Sequence, residues 1–272
     1  MTTGSWRWTM ITAGLVAAVL LPIYWALVAS FTPEGRLLAA PSLVPQAPVL
    51  DHYRALFDAR DFWTPVRNSL IVAGLTTLLS VTLGASCAYA LARLQFPGKA
   101  ALLALVLAVS MFPQISIVSP LYLVLRELQL LNTYPGLVLP YLTFAMPLTI
   151  WLLVGFFRQL PAQLEEAAFM DGASRLRTLW AVVLPLAAPG LATTAILTFL
   201  YSWNEFLFAL SFALGPERYT VPVAIALFRG QYQVPWGEIL AAAVVATVPV
   251  AVIVLVAQRR IVAGLTAGAV KG

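Results

Sequence analysis

The chain has 272 residues, of which 61% are hydrophobic and only 10% charged, and its mean hydropathy is +0.89. Soluble domains carry about a quarter charged residues, so this composition excludes a pair of soluble domains and predicts an all-α bundle in lipid. The net charge of +5 comes from basic residues scattered through loops, without a basic run or interleaved aromatics, which argues against a nucleic-acid partner. The single Cys87 and the single His52 leave no material for a disulfide, a metal cluster or histidine–cysteine chemistry. His52, in a polar stretch, reads as a solvated side chain.

In chain order, Thr9 to Phe31 runs without a charge and is long enough to cross a hydrocarbon core of about 30 Å. It is long for a signal peptide and has no clear small-residue cleavage site, so a retained first span is expected. Residues 32–67 form the longest polar stretch, an expected external loop rich in proline, with a short surface helix from Asp51 to Phe57. The second span is Asn68 to Ala92, closed by a tight basic turn from Arg93 to Lys99. The third starts at Ala100, and Pro113 and Pro120 each remove a backbone donor, which predicts kinks or breaks. After a turn at Asn132–Gly136, the fourth span covers Leu137 to Phe157.

A polar segment at about 160–188 follows, then a fifth span at about 190–213, another polar loop, and a sixth span from Ile239 to Ala257. The sixth is expected to stop at Gln258-Arg259-Arg260, leaving a small-residue tail at 259–272. About six spans put both termini on one side. With the N-terminus inside, nine basic residues fall in inner segments and seven in outer ones. The inner turns are short, where the positive-inside rule applies, so both termini are expected to be cytoplasmic.

The polar segment organises the chain. From Glu165 to Arg177, thirteen residues carry five charges between two apolar segments. Acidic residues at its start suit a helix N-terminus, small alanines permit close approach of a partner, and Gly172 permits a sharp reversal. Its pattern is Glu166-Ala167-Ala168, three residues, Gly172, nine residues, Val182, one residue, then Leu184-Pro185. This resembles the loop by which ABC-importer permeases dock on their ATPase subunits, with Val182 where the family usually has Ile. The resemblance implies that Glu166, Ala167, Ala168, Asp171, Gly172, Leu184 and Pro185 couple the chain to an ATPase.

Further segments are similar to carbohydrate-importer permeases: the turn from Ala90 to Lys99, and Ser202-Trp203-Asn204-Glu205-Phe206-Leu207-Phe208. The end, with Gln258-Arg259-Arg260 and then Gly264 to Gly272, resembles the tail of the six-span maltose-type permease subunit. Together these matches cover about residues 68–272. They imply a single type I ABC-importer permease domain over 1–272, in a bacterial or archaeal plasma (inner) membrane. The implied partners are a second permease subunit, two cytoplasmic ATPases, an extracytoplasmic sugar-binding protein, a sugar substrate and membrane lipid. In the tail, Gly264, Leu265, Thr266, Gly268 and Lys271 are the implied ATPase contacts.

No cofactor is expected in this chain, ATP and magnesium being bound by the partner ATPases. A phosphate-cradling loop needs Gly-Lys followed by Ser or Thr. Lys99 and Lys271 are the only lysines, and Ala100 and Gly272 follow them, so no such loop can form. Glu205 is the one carboxylate deep in an apolar run, a position that is functional by default. It is either a substrate contact or a carboxylate near the outer interface bonded to Asn204 or to a partner chain. A proton-coupled secondary carrier would use such an acid, but Glu205 has no basic or histidine partner in a span and no inverted repeat is evident. A non-transporting membrane scaffold is the third class. Aromatic faces and hydrogen-bonding groups suited to a sugar pathway are Asn204, Glu205, Trp203, Tyr201, Gln114 and Asn68.

Overall fold

The computed structural model describes residues 5–37, 42–45, 47–228 and 234–269, with the backbone alone for Ser5 and for 259–269. Among the described residues there are helices and no strands. The longer ones are α1 (Ser5–Ser30), α2 (Trp63–Arg93), α3 (Lys99–Met111), α4 (Gln114–Glu127) and α5 (Tyr134–Gln159). They continue with α6 (Gln163–Met170), α7 (Arg175–Leu186), α8 (Ala188–Trp203), α9 (Leu207–Phe212), α10 (Val221–Ala226) and α11 (Trp236–Ala269). Four helices are long and apolar enough to cross a membrane, and up to six spans result if each sharply bent pair is one.

The contacts divide into two compact units, residues 1–63 with 224–249, and residues 64–223 with 250–272. In the first, α1 is apolar on every side and exposed along almost all its length, which suits contact with hydrocarbon. In the segment that follows, the Nε2 of His52 lies 2.9 Å from the carbonyl oxygen of Thr32. His52 is buried, which corrects the expectation of a solvated side chain: its ring rests on the backbone of Gly237, where even a Cβ would sit 2.2 Å from the imidazole. The Glu34 carboxylate accepts from the amides of Trp236 and Gly237 at 2.9 Å each, satisfying two free donors at the start of α11.

In the second unit α5 is central. Gly84 of α2 and Gly190 of α8 both meet it closely: a Cβ at Gly84 would lie 2.8 Å from Thr149, and one at Gly190 would lie 2.5 Å from the Phe156 ring. Small residues at such crossings let backbones approach in lipid, where packing replaces the hydrophobic drive. Thr149 and Thr198 share a buried hydroxyl–hydroxyl bond of 2.9 Å between α5 and α8. One apolar cluster joins Ala88, Tyr89 and Leu91 of α2, Leu153 and Phe157 of α5, and Leu179 and Val183 of α7. The core therefore lies directly beneath the α6–α7 segment.

The third span breaks at Pro113, where a kink or break was expected, the fifth departs from the expected outline, and the sixth helix outruns its span. The third is two helices, α3 and α4, meeting at 93° at Phe112-Pro113. Phe112 is extended, as a residue before proline prefers. Pro120 sits inside α4 without ending it. The fifth span is interrupted at residues 204–206 between α8 and α9. The sixth apolar span ends at Gln258, but its helix runs on: α11 remains helical to Ala269, so Gly264, Leu265, Thr266 and Gly268 have helical backbone, while Lys271 lies outside the described residues.

Candidate functional site

The α6–α7 segment is built by local signals. Leu160, extended before Pro161, ends α5. Met170 ends α6, and Gly172 takes φ +79°, with its amide donating to Phe169 and that of Ala173 to Ala168. This left-handed cap satisfies carbonyls that a helix end leaves open. Two residues later Ser174 accepts from the amide of Arg177 and starts α7. Asp171-Gly172-Ala173-Ser174 is thus a stop signal followed at once by a start signal. At Ala187, α7 meets α8 at 83°.

The two faces of this segment differ. Inward, Glu165 is buried beneath Arg93 of α2, with 2.5 Å between Nε and the carboxylate, and Tyr89 donates to its other oxygen at 2.9 Å. Thr178, Leu179, Val183 and Ala187 are buried on the same side. Outward, Glu166, Ala167, Asp171, Gly172, Arg175 and Arg177 are exposed, with Ala168 half-buried between them. Met170 is 88% exposed, Leu176 64% and Trp180 51%. An open groove there is lined by Ser174, Leu176, Arg177, Trp180 and Ala181. Leu184 is half-buried and Pro185 exposed at the far end of α7. Large apolar side chains presented among charges mark an interaction surface.

The second group of sequence candidates gathers at the interruption after α8. Gln114, the first residue of α4, donates to the hydroxyl of Tyr201, so the break at Pro113 is brought to the fifth span. Asn204 is exposed and donates to its own turn at Leu200 O, 2.7 Å away. Glu205 is buried, and its two oxygens accept from the amides of Phe208 at 2.8 Å and Ala209 at 3.1 Å, which caps α9. Trp203 is buried and stacks on Phe199. Asn68 is separate from this group. Fully buried, it donates to the carbonyls of Glu217 and Tyr219 at 3.0 Å each and accepts from Tyr134 at 2.8 Å, so it ties α2 to the loop before α10. Sequence reasoning missed Arg93 and Tyr89, four residues apart on one face of α2; a tyrosine and an arginine at that spacing, just before a turn, were the available signal.

A multi-pass helical membrane protein with a polar segment between two spans, buried on one face and exposed on the other, has the architecture of a transport permease subunit. The family described as "Binding-protein-dependent transport system inner membrane component" matches residues 80–266, and the chain belongs to it. Over 267 residues it is 46% identical to the trehalose transport system permease protein SugB of Mycobacterium tuberculosis, with 97% of each chain covered. It is 43% identical over 255 residues to the trehalose/maltose transport system permease protein MalG of Thermococcus litoralis, covering 93% of this chain and 92% of that one. The fold is shared with a chain in the crystal structure of a bacterial ABC transporter involved in the import of the acidic polysaccharide alginate. That likeness has a TM-score of 0.79 at 23% identity, covering 95% of this chain and 98% of that one. The chain is therefore a membrane-embedded permease subunit of the ABC-importer type.

Proposed function

We propose that this subunit carries an oligosaccharide inward, in a complex with a second permease, two cytoplasmic ATPases and an extracytoplasmic sugar-binding protein. ATP and magnesium belong to the ATPases; this chain supplies half of the pathway and the element that receives their movement. The observation that carries the reading is the exposed face of Glu166, Ala167, Met170, Leu176 and Trp180 on a mount whose inner face is buried. Such a face fits a cleft on a soluble partner, with Glu166 available to a basic group there. Both termini then lie in the cytoplasm, residues 32–67 face outward, and the end of α11 with the residues after it reaches towards the ATPases.

Relatives named for trehalose and for trehalose/maltose transport support an α-linked glucose disaccharide as the substrate class. Gln114, Tyr201 and the exposed Asn204 supply hydrogen-bonding groups where the third and fifth spans are interrupted, and irregular backbone in lipid survives where it lines a cavity or is covered by protein. The test is uptake by the reconstituted complex with its binding protein, comparing labelled trehalose, maltose and a glycerol phosphate. ATP-dependent uptake of a disaccharide is expected; uptake of the glycerol phosphate alone would overturn the substrate class.

A further inference from the structure

Glu165 and Glu166 are adjacent on α6, yet they do opposite things. Glu166 is exposed, whereas the Glu165 side chain retains 7% of its accessible surface and that of Arg93 17%. Arg93 is the last residue of α2 and reaches two other elements. Its Nη2 donates at 2.7 Å to the carbonyl of Leu160, the residue that closes α5, and its Nε meets the Glu165 carboxylate of α6. Tyr89, one turn back along α2, holds the second oxygen of the same carboxylate. The end of α2, the end of α5 and the start of α6 thus converge on one guanidinium.

A buried ion pair is a poor device for stability alone, because apolar side chains of similar volume usually do as well. What it supplies is direction. The Nη2 bond to Leu160 fixes one donor vector of the planar guanidinium, and the Nε–Glu165 contact, an ion pair without hydrogen-bond geometry, adds a charge tether to a second element. We infer that Arg93 is a positioning residue that couples α2 to the docking segment, so that a displacement of α6 moves the ends of α2 and α5 as one body. This rests on the reading that α6 and α7 dock on an ATPase. It adds a third span to a lever that the chain connectivity alone would confine to the spans flanking the segment.

The experiment uses the complete transporter in proteoliposomes, with binding protein and substrate, and reads substrate molecules imported per ATP hydrolysed. Arg93→Gln and Glu165→Gln are expected to assemble with the ATPases and to lower that ratio by about fivefold or more, the low end of typical coupling strengths. Arg93→Lys, which keeps the charge but not the fork, is expected to fall between them and the wild type. The exchange Arg93→Glu with Glu165→Arg is expected to recover part of the loss. A wild-type ratio in Arg93→Gln and Glu165→Gln overturns the inference. So does failure of every variant to assemble, Arg93→Lys included, because the contact would then serve folding alone. If the wild-type complex itself imports without binding the ATPases through α6–α7, the docking reading fails first, a result visible before any variant is compared.

Discussion

Glu205 accepts the amide hydrogen of Phe208 at 2.8 Å, and that bond restarts the fifth span after its interruption. The second oxygen takes the amide of Ala209, so one carboxylate satisfies two of the donors that the first turn of α9 leaves open. An acid engaged in this way acts as a helix cap.

Glu205→Gln should therefore keep transport, because the amide oxygen still accepts from Phe208, and uptake should not respond to collapse of a proton gradient. Glu205→Ala loses both acceptors and should lower stability by about 1 kcal/mol, in the usual range for a lost cap. Thermal unfolding in detergent and uptake with a protonophore check the two halves. Loss of transport in Glu205→Gln would revive the carrier reading.

Asn132 donates its side-chain amide to Glu217, and this holds the Glu217 carboxyl below the ordinary glutamate value. A carboxylate whose folded pKa is depressed stabilises the fold above its unfolded pKa, and that contribution fades as pH falls through the folded one. The melting temperature of the wild type should consequently fall as the medium is acidified below the ordinary glutamate range, by a small amount because Glu217 is exposed. Glu217→Gln should flatten that acid limb. Identical acid limbs in both proteins would remove Glu217 from the explanation.

Gly172 has open space around it, with no heavy atom within 4 Å of where a Cβ would stand, so crowding does not oppose a side chain there. The obstacle is its φ of +79°. Gly172→Val should impose a strain of about 1–2 kcal/mol and disturb the α6–α7 turn, whereas Gly172→Asn, which tolerates the left-handed region, should retain most transport. Equal uptake in the two variants would show that the turn geometry does not matter to coupling.

Local chemistry made part of this legible in the sequence. The stop at Gly172, the start at Ser174 and the break at Pro113 each follow from residues within a few positions of the feature. The interruption at 204–206 was hidden because no proline or glycine marks it; the polar pair Asn204-Glu205 inside an apolar run was the trace it left. The burial of His52 was hidden by its polar neighbours, since its cover comes from Gly237, far along the chain. The Arg93–Glu165 contact was beyond reach for a different reason. Of two adjacent glutamates, helix phase decides which turns inward, and a change of one residue rotates that choice by about 100°.

The most direct test of coupling through α6 and α7 is ATP-driven sugar uptake by the complex carrying Glu166→Lys. The substitution reverses a charge on the exposed face and leaves the buried side of α6 intact. The account predicts a chain that still inserts in the membrane and still pairs with the second permease, while ATPase contact and uptake are lost. Uptake at the wild-type rate, with the ATPases bound as before, would contradict it.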